Sequence, residues 1–144
     1  MGRRSSINAI KEKLPMILVD SSVWIDLFKK KNNEKTKLLL QLIEDEEDIC
    51  TCGLIITEVL QGIREDLFLK KVENYFRGLI LLKFQDQDFT VAAYIYRKAR
   101  KKGVTIRSTV DCVIAACAIR NSIILLERDR DYQSIAKYSS LKLL

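Results

Sequence analysis

Histidine is absent from this chain of 144 residues, and proline occurs only once, as Pro15. Without imidazole, the chain can build neither a Ser-His-Asp triad nor a histidine-based nuclease site. Carboxylates together with a hard divalent metal are the natural tools that remain for catalysis. Glycine is also scarce, and neither a G-x-x-x-x-G-K-[ST] loop nor a G-x-G-x-x-G turn is present. These two routes to nucleotide binding are therefore excluded.

Long apolar runs are missing as well. No stretch approaches the roughly 18 apolar residues that a membrane span needs, and the basic N-terminus lacks the apolar core of a secretory signal. The four cysteines form one C-x-C and one C-x4-C pair, spacings that fit a zinc site poorly. They are Cys50, Cys52, Cys112 and Cys117. We expect buried, free thiols and a cytoplasmic location.

Positive charge is in excess. The chain has 25 Lys and Arg against 19 Asp and Glu, which gives a net charge of +6 and a pI near 9.2. Such a balance favours a polyanionic partner, nucleic acid first. With 48% hydrophobic and 31% charged residues, the composition is that of a folded globular protein, and the length suits one domain.

Short apolar segments alternate with amphipathic ones along most of the chain. Residues 1–14 form a polar leader, either loose or helical, and the domain is expected to span 15–144. Strands are predicted at 16–20, 48–52, 79–83, 122–126 and in the final LKLL, with helices at 22–30, 34–46, 54–63, 66–78, 86–102, from 108 onward and in DYQSIAKY. This alternation predicts a doubly wound α/β fold with a parallel sheet buried on both faces.

The longest predicted helix covers residues 86–102. Its apolar side chains recur at helical spacing and define one face, formed by Phe89, Ala92, Ala93 and Tyr96. Gly103 follows the last periodic residue and is expected to end the helix.

Four acidic residues occupy similar places in this pattern. Asp20 ends the first strand and Asp129 follows the fourth, while Glu58 and Asp111 lie in the early turns of helices. The carboxyl ends of parallel strands meet at one edge of a sheet, where such folds bind ligands, so we expect the four side chains to converge. Each of them has a simpler explanation as a helix cap or a first-turn acid. Only convergence accounts for all four together.

Carboxylates gathered in this way repel one another and raise each other's pKa values. A divalent cation removes the conflict, and oxygen ligands select Mg²⁺ or Mn²⁺. Such an ion can bind a phosphate oxygen and activate a water molecule. Acids, a metal and a basic surface together predict hydrolysis of nucleic acid.

Four segments resemble, in order, the motifs of the PIN-domain family, and specifically its VapC-type toxins. They are ILVDSSVWIDLF, TEVLQGI, TVDCVIAACAI and LLERDRDYQSIA, and the resemblance runs from about residue 16 to residue 138. It implies a PIN-like α/β/α sandwich with a mostly parallel central sheet of four or five strands. It also implies metal ligands at the four acids, an accessory hydroxyl at Ser22, and Asp131 as an alternative to Asp129.

The resemblance further implies a Mg²⁺- or Mn²⁺-dependent endoribonuclease that acts as a toxin, forms a homodimer and is silenced by a small cognate antitoxin. Basic residues after the middle of the chain are weaker candidates for RNA binding, namely Arg97, Arg100, Lys101 and Arg107. The run at 97–102 has an ordinary alternative as a solvated, dipole-matched helix end. Three other functions stay open: a housekeeping RNA-processing PIN nuclease, an inactive RNA-binding module and, ranked low, a phosphoacceptor signalling domain.

Overall fold

Five short strands form one parallel sheet in the computed structural model, which describes residues 15–144. The leader predicted at 1–14 lies outside the described residues. In chain order the elements are β1 (Ile17–Val19), α1 (Ser21–Phe28), α2 (Glu34–Glu44), β2 (Ile49–Cys52), α3 (Gly53–Leu60), α4 (Asp66–Arg77), β3 (Ile80–Leu82), α5 (Asp86–Lys101), α6 (Thr109–Arg120), β4 (Ile124–Leu126), α7 (Arg130–Lys137) and β5 (Lys142–Leu143). The predicted α/β class is confirmed, and the predicted element ends are shifted by only a few residues.

The strand order is β3-β2-β1-β4-β5, and every neighbouring pair is parallel. The chain thus extends the sheet in one direction from β1 to β3 and then returns to build β4 and β5 on the other side of β1. This reversal between β1 and β4 is a topological switch point, where the carboxyl ends of strands leave a crevice. The backbone N–H of Asp20 donates to the carbonyl of Leu126 at 2.9 Å, which joins the two strand ends there.

The inner strands are buried on both faces, as predicted for a parallel sheet covered by helices. All residues of β1 and β2 are buried. The expectation was wrong for β3, because Ile80 and Leu81 are exposed. β3 is the edge strand of the sheet, so it lacks a neighbour on one side.

The predicted apolar face of α5 was also wrong in part. Ala92 is buried, but Phe89 is 53% exposed and Ala93 is exposed too. The buried positions of the helix are instead Asp88, Ala92, Ile95 and Ala99. On this face the Asp88 carboxylate pairs with a guanidinium from α6, while Ala92, Ile95 and Ala99 pack in the hydrophobic core. Gly103 follows the end of α5 with a φ of +80°, as expected for a residue that ends a helix in the left-handed region.

The four cysteines are buried and free, as predicted. Burial raises the pKa of the Cys50 thiol to about 12, which makes it inert at neutral pH. Within residues 15–144, no helix combines the length and the apolar character that a membrane crossing requires.

Candidate active site

Asp20 connects β1 to α1 and is 4% exposed. Its Oδ2 accepts the Ser22 backbone N–H at 3.1 Å, so it caps α1, an interaction worth about 1 kcal/mol. The same oxygen accepts the Ser22 hydroxyl at 2.6 Å. On the other side, Oδ1 accepts the hydroxyl of Tyr132 at 3.1 Å. Capping and a place in the acidic cluster are therefore compatible, since they use different parts of one carboxylate.

Glu58 lies in the second turn of α3 and is half-buried. The hydroxyl of Ser21 donates to its Oε1 at 3.2 Å. Burial raises the pKa of Glu58, and the charges of Asp20 and Asp129 raise it further. Glu58 therefore lies near enough to the N-caps of α1 and α7 for their charges to act on it.

Asp111 lies in the first turn of α6, and its backbone N–H is capped by the Ser108 hydroxyl at 3.1 Å. The reciprocal half of the predicted capping box is taken by Asp131, whose Oδ2 accepts the Ser108 N–H at 3.1 Å. The Asp111 carboxyl therefore takes no part in capping α6. It is 6% exposed, and its Oδ2 is buried without a hydrogen-bond partner among the residues that the structure describes.

Like charges surround this carboxyl. Burial raises the pKa of Asp111 to about 7, with further increases from the charges of Asp20, Asp129 and Glu58. The Tyr132 hydroxyl opposes this shift in part. A carboxylate this costly to ionise calls for a cation in the same space.

Asp129 and Asp131 both approach Asp111. Asp129 caps α7, where its Oδ1 accepts the Asp131 N–H at 3.0 Å. One carboxylate oxygen from each of the three residues lies within 4.8 Å of the other two. The carboxylate of Asp131 nonetheless has more partners than that of Asp129, since it also lies 3.7 Å from the Arg107 guanidinium. Asp20 and Glu58 do not belong to this group of three carboxylates, but their charges raise the pKa of Asp111.

Ser22 is placed to support Asp20. Its hydroxyl donates to Asp20 and accepts the backbone N–H of Arg128 at 3.3 Å. The Arg128 side chain in turn pairs with the buried Asp26 of α1. These contacts attach the loop after β4, which leads to Asp129, to the start of α1 beside Asp20.

Two residues of the site were missed in the sequence. Glu127 directly follows β4, is 3% exposed, and accepts the Asp129 N–H through Oε2 at 2.7 Å. Burial raises its pKa. The rule that found Asp20, an acid at a strand's carboxyl end, would have found Glu127 too. Tyr132 gave no comparable signal, because any aromatic residue suits that buried helical position.

The predicted RNA-binding residues divide into two groups. Arg107 is exposed and lies beside Asp131, at the rim of the acidic site. The other three are exposed on the last turns of α5, where the Arg100 guanidinium lies 5.6 Å from the centroid of the Tyr96 ring.

The donor set suits hard divalent cations. It consists of carboxylate oxygens, which these ions prefer, and it contains a buried carboxylate oxygen without a hydrogen bond. Asp111, Asp129 and Asp131 are the residues whose carboxylate oxygens lie close enough together to hold one ion, and the charge of Asp20 acts on Asp111. Glu58 is half-buried, less enclosed than Asp20 and Asp111.

The chain resembles characterised proteins over nearly its whole described length. A family model described as PIN domain matches residues 17–138. "Ribonuclease VapC11" of Mycobacterium tuberculosis and "VapC ribonuclease Mb1587" of Mycobacterium bovis are each 37% identical over 129 residues, which is 88% of this chain and 96% of the relative.

Solved structures agree in fold. A structure of VapBC2 from Rickettsia felis bound to a DNA fragment from its promoter matches with a TM-score of 0.69 at 15% identity, over 90% of this chain and 97% of that one. VapBC-1 from nontypeable Haemophilus influenzae matches with a TM-score of 0.69 at 16% identity, over 90% and 96% of the two chains.

Proposed function

Because the chain belongs to the PIN-domain family, we propose that it is a metal-dependent endoribonuclease that acts as the toxin of a toxin–antitoxin pair. We assign Asp20, Asp111 and Asp129 to holding Mg²⁺ or Mn²⁺, with Glu58 beside the attacking water. Asp131 anchors the start of α6 through Ser108 and is the alternative fourth acid.

The observation that carries this proposal is the Asp111 carboxyl. It is buried, has an oxygen without a hydrogen bond among the described residues, and faces the charges of three other acids. Folding has to hold these groups together against their repulsion, and a shared divalent ion turns that repulsion into attraction. A purely structural role would leave the unpaired oxygen unexplained.

The bound ion would supply a Lewis acid for a phosphate oxygen and lower the pKa of a water molecule. Glu58 is suited to accept the proton of the attacking water, since its raised pKa brings it nearer to neutrality. Asp129 is held in place by the Glu127 carboxylate, and Asp20 by Ser22. The products are a phosphate ester end and a free hydroxyl end of the cleaved strand.

RNA is supported as the substrate by the curated relatives, which are named ribonucleases at 37% identity. The net charge of +6 favours a polyanion. Arg107, at the rim of the site, is placed to meet a phosphate next to the one that is cut. The cytoplasm, where cellular RNA is found and thiols stay reduced, is the location that we propose.

An antitoxin would have a ready docking place beside the acids. A groove of about 470 Å³ is lined by residues of α1, α3 and α4, and Glu58 is one of them. Its walls are largely apolar, with Phe28, Val59 and Phe68 among them, and Arg64 is at its margin. A segment bound there would also block the site. Exposed apolar residues on α5 and α6, including Phe89, Tyr94 and Val110, would serve a homodimer.

The test is RNA cleavage by purified protein that has been stripped of metal and then supplied with Mn²⁺ or Mg²⁺. We expect Asp111→Asn to lose activity at least about 100-fold, since even outer-shell changes cost 10- to 100-fold. Asp45→Asn, at the C-terminal end of α2, is the matched control and should cleave like the original protein. Equal cleavage by both variants, or none by the unaltered protein with either metal, would refute the assignment.

Growth separates a toxin from a housekeeping nuclease. Expression of the chain alone should stop growth, Asp111→Asn should not, and a short neighbouring reading frame should restore growth when it is expressed together with the chain. A protein that cleaves RNA but leaves growth unaffected would instead be the RNA-processing PIN nuclease considered above.

A further inference from the structure

Tyr132 is the one residue of the site that combines a fully buried ring with a hydroxyl directed at an acid. It lies in α7 and is 0% exposed. Its hydroxyl donates to Asp20 Oδ1 at 3.1 Å, a contact that joins positions 112 residues apart in the sequence. The same hydroxyl interacts with the Asp111 carboxyl. The phenol therefore lies between two of the acids.

The hydrogen bonds of Asp20 leave little room for a metal. An ionised carboxylate has about four acceptor sites, two on each oxygen. Oδ2 accepts both the backbone N–H and the hydroxyl of Ser22, which fills its two sites. Oδ1 accepts only Tyr132 among the described residues, so one site is free on that oxygen.

We propose that Tyr132 is a positioning residue that fixes Asp20 as a one-oxygen metal ligand through Oδ1. The phenol holds the ligating oxygen from one side, and the free acceptor site of Oδ1 faces the space shared with Asp111. Ser22 occupies the opposite oxygen, so the carboxylate cannot rotate to chelate through both. This inference rests on the proposed metal-dependent function and adds how one of its ligands is oriented.

A purely structural role makes a different prediction. A buried tyrosine hydroxyl usually finds a hydrogen-bond partner, and Asp20 could serve only that purpose. In that case the loss of the hydroxyl would alter the stability of the metal-free protein and leave its affinity for metal unchanged. The two roles are therefore separated by metal binding.

The experiment compares Mn²⁺ binding to the full chain with its Tyr132→Phe and Tyr138→Phe variants, followed by the electron paramagnetic resonance of free Mn²⁺. Phenylalanine keeps the buried ring, and circular dichroism and the Tm in EDTA verify the fold. We expect Tyr132→Phe to raise the Kd for Mn²⁺ about 10- to 100-fold, the usual effect of losing an outer-shell partner. Tyr138→Phe, at the end of the same helix, should stay within about twofold.

Cleavage gives a second readout. Tyr132→Phe should be slow at limiting Mn²⁺ and approach the unaltered rate when Mn²⁺ is saturating. In an Asp20→Ala background the same change should have less than about a twofold effect on the Kd, because the oxygen that Tyr132 holds is gone.

The failures are distinguishable. If the unaltered chain binds no Mn²⁺, the proposed function itself fails. If the unaltered chain and Tyr132→Phe bind Mn²⁺ equally, or if the loss is as large in the Asp20→Ala background, only the role of Tyr132 is overturned.

Discussion

At the scale of the residue, Asp111 shows the repulsion between buried carboxylates that a bound metal ion would relieve. In the folded protein its pKa is raised to about 7 by burial and then by neighbouring acids, whereas an exposed aspartate titrates near ~4. Between these two pH values the folded state binds more protons than the unfolded state. The free energy of unfolding must therefore fall as the pH rises through this window.

We predict that the metal-free protein loses stability from pH 5 to pH 7, with a slope of up to about 1.4 kcal/mol per pH unit from Asp111 alone. Glu58 and Glu127, whose pKa values are also raised by burial, act in the same direction. Urea unfolding in EDTA at several pH values measures the slope. The slope should be smaller for Asp111→Asn, and for Asp45→Asn it should equal that of the original protein.

Mn²⁺ should restore the lost stability at pH 8, because it binds the folded state and needs ionised ligands. If the free energy of unfolding has the same slope against pH in Asp111→Asn as in the unaltered chain, Asp111 is not the group whose raised pKa causes the loss of stability.

Residues of this site differed in how far the sequence could predict them. Asp20 and Asp111 could be predicted because each lies at an element boundary that the apolar pattern marks. Tyr132 was not, because its role depends on a hydroxyl that meets Asp20 across 112 positions, while its packing needs only an aromatic ring. The part that could not be predicted is the supporting hydrogen bonding, which exists only in three dimensions.

At the scale of the element, the contact between α5 and α6 depends on a buried ion pair. Arg120 donates to both carboxylate oxygens of Asp88, at 2.8 and 2.9 Å, and also to the carbonyl of Lys83 at 2.8 Å. Asp88 is 1% exposed. The pair thus fixes the start of α5 and the end of β3 against the helix that carries Asp111.

We predict that Arg120→Ala destabilises the fold by about 3 kcal/mol, because it leaves a buried carboxylate without its partner. Arg77→Ala is the control, since Arg77 pairs with Glu73 on the exposed surface of α4, and such pairs are worth less than about 1 kcal/mol. Urea unfolding at pH 7 compares the two. Equal losses of stability in the two variants would mean that the buried pair contributes no more than an exposed one.

The same pair explains why the apolar pattern of α5 misled. A charged residue within an amphipathic helix is ordinarily assigned to the solvent side, and the partner of Asp88 lies 32 residues away. The existence, order and approximate ends of the elements followed from periodicity, but the buried face of α5 includes a charged residue whose partner is distant in the sequence. Periodicity fixes the type of an element more firmly than its orientation.

At the scale of the whole molecule, charge is distributed unevenly. A chain of net charge +6 gathers its functional acids at one edge of the sheet. An approaching RNA is attracted by the molecule as a whole and repelled locally, until the site is neutralised. Cations at the rim of the site should therefore matter more to binding than cations elsewhere.

Arg107 is an exposed cation at the rim of the site, 3.7 Å from Asp131. In the inactive Asp111→Asn background, we predict that Arg107→Ala weakens binding of single-stranded RNA and lowers the slope of log K against log salt by about 0.7, the value for one phosphate contact. Lys142→Ala is the control with the same loss of charge. β5 pairs Lys142 with Ile124, the first residue of β4, so it lies at the end of the strands away from the acids.

Filter binding at several salt concentrations distinguishes the outcomes. Equal slopes for the two variants would mean that net charge alone attracts RNA and that Arg107 meets no phosphate. Replacing Arg97, Arg100 and Lys101 together by alanine then tests the end of α5. A slope lowered by about 2 would place the RNA along that helix, since three contacts would be lost, whereas an unchanged slope would leave those residues as a solvated helix end and direct the RNA along another side of the site.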